Sequence, residues 1–403
     1  MDKEKNGHKR VGMLLLSYYL NDARVRRQAE SLAEAGYDVH VVSCGDAQKM
    51  NNAQLLPYEV VKGVHVHFVP LLKKRGNKFR YMYEFVMMTL YGAVKLARLH
   101  YQKSFDVVHI HNMPDILVFA GLIPRFGGAK IVLDIHDPMS ELFLDSYHLS
   151  ESSLLYRAIS LQEKLCYRMA TRLVTVTNTM AENVAKKAGQ DSDRIMVVHN
   201  FPHFPVYTGN RTWPYNQESL VLLYAGTVTE HYRLDIAVKA VAIASEKIPN
   251  IKLHILGGGS RTNDVLALAA ELGIRDRVQH TPSVTLDRVA EIMRSADIGI
   301  STHQGGIFGD LYFSTKIIEF MSQGLPVVSS RTRTIHQYVP EEAIFYFDPG
   351  NVEDLVRTLL HMRDNPDRVL EKVKASQDVV SRYSWNHEKV RLQSFYHSLT
   401  AAH

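Results

Sequence analysis

The chain has 403 residues, a length that suits about two domains better than a single hydrophobic core. Hydrophobic residues make up 46% of it, which excludes an intrinsically disordered chain, and no stretch reaches the roughly 18 apolar residues that a membrane-spanning helix needs. The net charge of +5 is concentrated in residues 1–205, which contain 26 Lys and Arg against 20 Asp and Glu, so a general nucleic-acid-binding surface is disfavoured.

The first half of the chain alternates short apolar runs with helical patterns. Strands are predicted at 11–17, 38–45, 63–70, 105–112, 129–137 and 170–178, and a helix at 22–37 ends at Gly36. The first apolar run is similar to the centre of a secretory signal, but no small-residue cleavage site follows it, so we interpret it as a buried strand. Strands that alternate with helices predict a parallel sheet covered on both faces.

The helix at 22–37 begins with two charged residues. Asp22 is a suitable N-cap, because its carboxylate can accept a hydrogen bond from a backbone N–H of the first turn. Arg24 is either a surface residue or a group that reaches a phosphate or carboxylate of a ligand. The sequence leaves both alternatives open.

The segment 73–103 combines basic ends with an apolar middle, "FVMMTLYGAV". Residues 71–103 contain eight Lys and Arg and one acid, Glu84. This pattern is typical of an interfacial helix on an anionic membrane surface, and it also fits a helix buried in the first domain. Because the two cysteines, Cys44 and Cys166, cannot form a disulfide framework, we expect a cytoplasmic protein, peripheral on the inner face of the plasma membrane if the first alternative holds.

Polar residues end two neighbouring strands, in "HIHN" and "DIHD". His111 and Asn112 follow the strand at 105–112, and His136 and Asp137 follow the strand at 129–137. The carboxyl ends of parallel strands form the ligand-binding edge of such a sheet. A histidine there can assist acid–base chemistry or hold a sugar hydroxyl, or it can be an ordinary loop residue. A metal site is disfavoured, because no helix carries a carboxylate–histidine motif.

Residues 201–219 read as a linker, after which the alternation of strands and helices starts again. Strands are predicted at 219–228, 251–260, 276–284, 296–302, 325–330 and 343–350, with a last helix at 384–401. We therefore expect a first domain at 1–205, a second at 206–384, and a ligand cleft where their strand ends face each other.

Two features of the second half are candidates for a ligand site. "LGGGS" places Gly257, Gly258 and Gly259 between a strand and a helix, where glycines allow backbone N–H groups to approach a phosphate, although a plain tight turn explains them equally well. "STKIIEFMSQGLPVVSS" contains Lys316 and Glu319, three residues apart and therefore on one face of a helix that leads into a buried strand.

In this order and spacing the segments resemble the retaining glycosyltransferases of family 4. "DARVRRQAESLAEAGYDVHVVS" is similar to the family's Asp-x-Arg-Val start, "DVVHIHN" and "VLDIHD" to its acceptor-side strand ends, and "YAGTV" to the strand that opens its second domain. "KIIEFMSQGLPVVSS" is similar to the family's most specific stretch. The resemblance implies an α/β protein of the GT-B fold, with two Rossmann-like doubly wound domains facing across a cleft and a last helix, 385–403, that crosses back onto the first domain.

The resemblance also implies a role for each candidate residue. Glu319 would accept hydrogen bonds from ribose hydroxyls, Lys316 and Arg233 would face the diphosphate, and His136 would hold the acceptor or a sugar hydroxyl. The other donor-binding candidates are Gly257, Gly258, Gly259, Thr227, Val284, Asp310 and Leu311. The other acceptor-side candidates are Arg24, Asp22, His111, Asn112 and Asp137.

The sequence departs from the family pattern in two parts of the donor domain. Leu311, beside Asp310, stands where many members have a first glutamate. Thr227 holds one position of a usual basic pair, and Arg233 replaces the usual lysine at the other.

The implied activity is a metal-independent, retaining transfer of a sugar from a nucleoside-diphosphate sugar to a hydroxyl of a lipid-linked or glycan acceptor, in bacterial surface polysaccharide biosynthesis. UDP-sugar is favoured by its frequency in the family, and no cofactor is expected besides this co-substrate. The alternatives are a nucleotide-sugar epimerase or hydrolase of the same fold, and a non-catalytic subunit that binds a nucleotide sugar. An NAD-dependent oxidoreductase is disfavoured, because no Gly-x-Gly-x-x-Gly opens either domain.

Overall fold

A computed structural model of the chain describes residues 8–45, 57–73, 78–147, 149–189, 191–201 and 219–401. The chain forms two compact units. The first contains the described residues up to 200 together with those from 386 onward, and the second contains residues 201–385. The predicted boundary at 205 lies outside the described residues, as do Lys74 and Arg75 of the basic segment.

The first unit is built on one sheet. Its strands are β1 (Arg10–Tyr18), β2 (Asp38–Cys44), β3 (Tyr58–Val61), β4 (Val64–Val69), β5 (Val107–His111), β6 (Lys130–Ile135), β7 (Arg172–Thr175) and β8 (Ile195–Val197). They lie in the order β3-β4-β2-β1-β5-β6-β7-β8, and all pairings are parallel except that of β3 with β4. The predicted parallel sheet is confirmed, and the antiparallel edge strand β3 is an addition to the prediction.

Helices connect the strands of the first unit: α1 (Ala23–Glu34), α2 (Lys78–Lys103), α3 (Leu122–Phe126), α4 (Met139–Ser146), α5 (Leu154–Met169) and α6 (Asn178–Ala188). Asp22 is the N-cap of α1, and its carboxylate accepts a hydrogen bond of 3.2 Å from the backbone N–H of Val25. The chain turns after this helix at Gly36, whose φ of +87° favours glycine. The central strands are buried on both faces, which is why their sequences are apolar without alternation.

The second unit is also a parallel α/β structure. Its strands are β9 (Ser219–Thr227), β10 (Asn250–Gly258), β11 (Val278–Thr281), β12 (Ile298–Ser301), β13 (Val327–Ser330) and β14 (Phe345–Phe347). They form a parallel sheet in the order β11-β10-β9-β12-β13-β14. The helices are α7 (Leu234–Ala244), α8 (Thr262–Glu271), α9 (Leu286–Ser295), α10 (Thr315–Ser322), α11 (Arg333–Tyr338), α12 (Val352–Asp364) and α13 (Pro366–Arg382).

A last helix, α14 (Trp385–Thr400), returns the chain to the first unit from residue 386 onward. Glu388 accepts hydrogen bonds from the backbone N–H and the Nδ1 of His199, at 3.0 and 2.9 Å. Further along, Gln393 Nε2 donates to the carbonyl of Ser31 at the end of α1. The hydroxyl of Tyr396 lies 2.5 Å from His109 Nδ1, at the carboxyl half of β5. The helix is therefore an integral part of the first unit.

Among the described residues, no helix is both long enough and apolar enough to cross a membrane. The helix α2 has 26 residues, but one side of it is packed against the unit through Met88, Leu96 and Leu99. Its acid, Glu84, is fully buried and paired with Arg80 at 2.8 Å. One face of the helix is thus part of the core, as the second alternative predicted, and the other face is exposed. Contact of the exposed face with a membrane stays a prediction.

Candidate functional site

In the second unit, a cavity of about 340 Å³ opens at the carboxyl ends of β9 and β10. Its walls come from the last residues of β9 and β10, from the segment after β11, from α9 and from the start of α10. The lining residues are Ala225, Gly226, Thr227, Leu256, Gly257, Gly258, Ser283, Val284, Val289 and Lys316. This is the edge at which parallel α/β sheets bind their ligands.

A second cavity of about 130 Å³ adjoins the first. The two share Ala225, Gly226, Thr227 and Lys316, so we describe them together as the donor recess. The remaining residues of the smaller cavity are Tyr224, Tyr232, Ile300, Ser301, His303, Tyr312, Ser314 and Thr315. Lys316 therefore stands where the larger part of the recess meets a smaller part whose lining includes several hydroxyl groups.

Lys316, which lines both cavities, forms an ion pair with Glu319, which is buried and is not among the lining residues of either cavity. The two residues lie on one face of α10, as predicted, and Lys316 Nζ donates to Glu319 Oε2 at 2.6 Å. Glu319 is only 6% exposed, whereas the lysine is half-buried and lines both cavities. A carboxylate can accept hydrogen bonds at two oxygens, so Glu319 retains capacity for a ligand while it holds the lysine in place.

The structure explains why two positions of "LGGGS" require glycine, which could not be seen in the sequence. A Cβ on Gly257 would lie 2.1 Å from the carbonyl oxygen of Gly226, and one on Gly259 would lie 2.2 Å from that of Val228. Gly257 also has a φ of +122°. These two glycines allow the end of β10 to pass close to the end of β9, which forms the wall of the recess. Gly257 and Gly258 line it, whereas Gly259 is not among the lining residues.

Other predicted donor residues divide into two groups. Thr227 and Val284 line the recess. Arg233, Asp310 and Leu311 are not among its lining residues. Arg233 donates two hydrogen bonds to Asp235, at 2.9 and 3.1 Å, from a backbone with a φ of +42°.

Asp310 has a local structural role. Its Oδ1 accepts a hydrogen bond of 2.8 Å from the backbone N–H of Arg333, the first residue of α11. Its Oδ2 accepts from the N–H of Gly306 at 3.3 Å. Leu311 is buried. Where many family members have a first glutamate, this chain thus has the buried apolar side chain of Leu311. The carboxylate of the adjacent Asp310 stabilises the loop.

The sequence analysis missed His303, which lines the smaller cavity. Its ring is buried, stacks on Tyr312 with 5.3 Å between centroids, and lies 2.9 Å from Ser301 Oγ through Nδ1. Burial lowers the pKa of His303 to about 4, so the ring is neutral near pH 7. Its Nε2 has no hydrogen-bond partner among the described residues. The available signal was the polar "STH", which begins in the last two residues of the predicted strand at 296–302 and ends with His303.

The first unit carries a second cluster, which we call the histidine network. At its centre the fully buried Asp134 ends β6, and its Oδ2 lies 3.4 Å from His109 Nε2, 3.2 Å from His111 Nδ1 and 3.0 Å from His136 Nε2. Gln28 of α1 also donates to this oxygen at 3.0 Å. Burial favours the neutral carboxyl, but the electrostatic interaction with His136 and the hydrogen bonds from the imidazoles outweigh it and lower the pKa of Asp134 well below its usual range.

His136 is oriented from both its backbone and its ring. Its N–H donates to Asn112 Oδ1 at 2.7 Å, and Asn112 Nδ2 in turn donates to the carbonyl of Asp137 at 2.8 Å. Because the ionised Asp134 can only accept, His136 Nε2 carries the proton, and Nδ1 is left as an acceptor. Burial and the charge of Arg24 lower the pKa of His136, while Asp134 opposes that shift. The predicted residues Asn112, His136 and Asp137 are thus brought together.

Asp22 and Arg24 lie electrostatically close to this network. Burial would raise the pKa of Asp22, but the hydrogen bond from the N–H of Val25 and the electrostatic interactions with His136 and Arg24 lower it. Asp22 Oδ2 also accepts a hydrogen bond from Ser17 Oγ at 3.1 Å. Arg24 Nε is buried and has no hydrogen-bond partner among the described residues. Arg24 therefore remains a candidate for binding an anionic group.

The network also has the spacing of a metal site, because the donor atoms of His109, His111 and Asp134 lie within 4.8 Å of one another. Their hydrogen bonds offer an alternative use for the same atoms, since Tyr396 holds His109 and Asp134 contacts three imidazoles. The expectation that sugar transfer needs no metal stays a prediction.

Comparison with known proteins was made on both sequence and structure. The sequence family described as Glycosyl transferase 4-like domain matches residues 22–200, and the family described as Glycosyl transferases group 1 matches residues 210–377. An uncharacterized glycosyltransferase from Methanocaldococcus jannaschii is 23% identical over 372 residues, which span 89% of this chain and 89% of the relative.

Two solved structures share the fold at low sequence identity. Sucrose-phosphate synthase from Thermosynechococcus elongatus matches with a TM-score of 0.77 and 14% identity, over 98% of this chain and 100% of the other. Anabaena HepE in complex with UDP and glucose matches with a TM-score of 0.71 and 14% identity, over 97% of this chain and 100% of the other. With both sequence families in the expected order and two Rossmann-like units, the chain belongs to the family 4 glycosyltransferases, enzymes of the GT-B fold.

Proposed function

We propose that the protein transfers a sugar from a nucleoside-diphosphate sugar to a hydroxyl of a lipid-linked or glycan acceptor, with retention at the anomeric carbon and without a metal. The observation that carries the proposal is Lys316 in the lining of the donor recess, ion-paired with the buried Glu319 three residues later on the same helix. The UDP and glucose bound by Anabaena HepE support UDP-sugar as the donor. A bacterial surface polysaccharide is the proposed product.

On the donor side, Glu319 binds the ribose diol, and the larger part of the recess, with Val284 at its wall, takes the base. Lys316 lies beside the diphosphate. When the anomeric bond breaks, negative charge grows on the leaving phosphate, and a preorganised cation next to it lowers the barrier. The N-terminus of α10 adds a partial positive charge in the same place. Arg233 contributes only at longer range, since Asp235 already holds its guanidinium.

On the acceptor side, His136 presents Nδ1 to a hydroxyl of the acceptor or of the sugar. Asp134 fixes the ring and its tautomer, in the manner of the carboxylate in an Asp–His pair. In this mechanism the leaving phosphate receives the proton of the reacting acceptor hydroxyl. His136 Nδ1 therefore accepts a hydrogen bond from a neighbouring, non-reacting hydroxyl of the acceptor or of the sugar, and keeps the substrate in position while the new bond forms on the face that the phosphate leaves.

The proposal is tested by measuring the affinity for UDP, GDP, ADP and their sugars by calorimetry, on wild type and on Glu319→Gln. We expect one nucleotide series to bind, and Glu319→Gln to weaken it by about 1.5–3 kcal/mol, the range for a hydrogen bond to a charged group. This corresponds to roughly a tenfold to 150-fold loss. The control is Glu271→Gln, which changes an exposed glutamate of α8 and should bind like wild type.

Two outcomes would contradict parts of this scheme. Unchanged affinity in Glu319→Gln would remove Glu319 from the donor site, and failure of every nucleotide to bind would reject the function. Turnover of the bound donor at the same rate with and without any acceptor would instead favour a hydrolase or an epimerase, and binding without turnover would favour a non-catalytic subunit.

The exposed face of α2 supports a membrane-bound acceptor. Phe79, Met82, Val86, Leu90 and Val94 are spaced three or four residues apart and are exposed, Phe79 by 85% and Leu90 by 56%. Exposed apolar residues continue on the neighbouring α3 and on α5, at Ile123, Phe126, Leu154, Leu161 and Leu165. The basic residues of 71–103 are not balanced by an exposed acid, because Glu84 is buried. We propose that this face lies on the anionic inner surface of the plasma membrane, with the protein in the cytoplasm.

Replacing Phe79 and Leu90 together by serine should release the protein from anionic vesicles. Each of these side chains contributes about 1.5–3 kcal/mol when buried, and each basic residue near an anionic surface about 1 kcal/mol. The bound fraction is measured by co-sedimentation at low and high salt, with Val390→Ser, an exposed residue of α14, as control. Activity on a water-soluble acceptor should be retained. If wild type ignores anionic vesicles even at low salt, the proposed membrane contact is wrong.

A further inference from the structure

A group of polar aromatic and acidic residues lies at the opposite ends of the strands from the histidine network. Asp38 is the first residue of β2, and His40 follows two positions later on the same face. On the paired strand β4, His65 is in register with His40, and His67 follows two positions later. Tyr58 comes from the antiparallel strand β3. We call these residues the β2–β4 cluster. None of them takes part in the proposed sugar transfer.

Three donor atoms of this cluster converge. Asp38 Oδ1 lies 3.0 Å from His40 Nε2 and 3.5 Å from His65 Nε2, and the three atoms lie within 4.8 Å of one another. Zinc bonds to nitrogen and oxygen of about 2.0–2.1 Å in tetrahedral geometry place neighbouring ligand atoms about 3.3–3.4 Å apart. One ion can therefore replace these direct contacts after small side-chain rotations.

In both His40 and His65, the Nδ1 atom faces away from Asp38 and already has a polar contact. His40 Nδ1 lies 3.0 Å from His67 Nε2, and His65 Nδ1 lies 2.5 Å from the hydroxyl of Tyr58. These contacts fix the ring orientations and direct both Nε2 atoms towards Asp38. This is the arrangement found around metal-bound histidines, whose second nitrogen is held by a neighbouring polar group.

The ring nitrogen of His40 that faces Asp38 lacks an aligned hydrogen bond. His40 is only 3% exposed, and its Nε2, although 3.0 Å from Asp38 Oδ1, makes no well-aligned hydrogen bond among the described residues. On the far side of the carboxylate, Arg10 Nε lies 3.7 Å from Asp38 Oδ2 and holds that oxygen away from the imidazoles. The geometry thus leaves a buried imidazole nitrogen without an aligned partner, close to a carboxylate oxygen and to a second imidazole.

We propose that Asp38 Oδ1, His40 Nε2 and His65 Nε2 bind one divalent transition-metal ion of the zinc class. Imidazole and carboxylate ligands suit zinc, cobalt and nickel, whereas magnesium and calcium prefer oxygen ligands. The side chain of His65 is 33% exposed, so the fourth position is open to water. The ion has a structural role, because it joins the start of β2 to the edge pair β3–β4. It is separate from the donor recess and from the histidine network.

The test uses the purified full chain, stripped with a chelator and titrated with Zn²⁺ alone against a chromophoric competitor. We expect one tight site per chain in wild type, a rise in Tm on addition of Zn²⁺, and tetrahedral Co²⁺ absorption bands when Co²⁺ is used instead. His65→Ala should weaken Zn²⁺ binding at least about 100-fold and abolish the Tm rise. Tyr58→Phe, which removes only an outer contact, should weaken it by about 10–100-fold.

Two variants show where the ion binds. His397→Ala removes an exposed histidine of α14 and should leave Zn²⁺ binding unchanged. His111→Ala alters the histidine network and should also retain the tight site. Loss of the tight site in His111→Ala with its retention in His65→Ala would move the ion to the histidine network and overturn the proposal. The absence of a site tighter than micromolar in wild type would overturn it as well.

Discussion

Replacing Lys316 by alanine should lower kcat by about 10²–10³-fold, the cost of removing one preorganised group that stabilises charge in a transition state. The lysine lines both parts of the donor recess and is held in place by Glu319 at 2.6 Å. Because the negative charge on the leaving diphosphate is largest in the transition state, donor affinity should fall much less than kcat. The measurement is kcat at saturating donor together with the donor Kd by calorimetry.

Two further variants make this result specific. Lys252→Ala removes an exposed lysine at the amino-terminal half of β10 and should leave kcat unchanged. Lys316→Arg keeps the positive charge and should recover part of the rate. Since Lys316→Ala leaves the buried Glu319 without its cation, thermal unfolding is recorded to confirm that the fold persists. A folded Lys316→Ala enzyme with wild-type kcat would show that the leaving group lies elsewhere.

The second large effect is expected for His136→Ala, which should reduce kcat by roughly 10²-fold, the cost of losing a group that keeps a reactant in its productive position. Nucleotide affinity should stay near the wild-type value, because His136 belongs to the first unit and the donor recess to the second. A variant with weaker nucleotide binding and normal turnover at saturation would reverse the assignment of the two units.

The variant Asp134→Asn distinguishes an effect of Asp134 on the His136 tautomer from a purely structural role. The amide can present a donor where the carboxylate accepts, so His136 loses its preferred tautomer while the packing volume is kept. We expect a lower kcat with a KM for the acceptor close to that of wild type. In the wild-type protein Asp134 opposes the lowering of the His136 pKa. Its replacement should therefore lower that pKa further and change the pH dependence of kcat. A stability loss alone, with an unchanged pH profile, would reduce Asp134 to a structural residue.

The sheets could be predicted from the sequence because buried parallel strands are continuous apolar runs. β3 could not be predicted, because its four residues alternate between exposed and half-buried positions and its pairing partner is an antiparallel neighbour. The two faces of α2 could not be separated either, since apolar residues occur all around the helix and only packing decides which of them, such as Met88, are buried.

The candidate site was predictable where function depends on local spacing. Lys316 and Glu319 are three residues apart on one helix, and this spacing alone places them together. The histidine network depends on contacts between distant segments: Gln28 and Tyr396 reach it from α1 and α14. His303 lies in an irregular loop after β12, where periodicity gives no information. Arg233 was expected to face the diphosphate from its position in the motif, and no periodic pattern indicated its pairing with Asp235.

The return of α14 to the first unit has a consequence for biosynthesis. Tyr396 is 287 positions beyond its partner His109, and the whole second unit is translated between them. While the ribosome is still making residues 201–385, the first unit has its sheet but lacks the helix that covers the ends of α1 and β5. Such long-range closure slows folding, because a large loop must be ordered before its contacts form. The acceptor site that we propose is therefore complete only after the second unit has been synthesised.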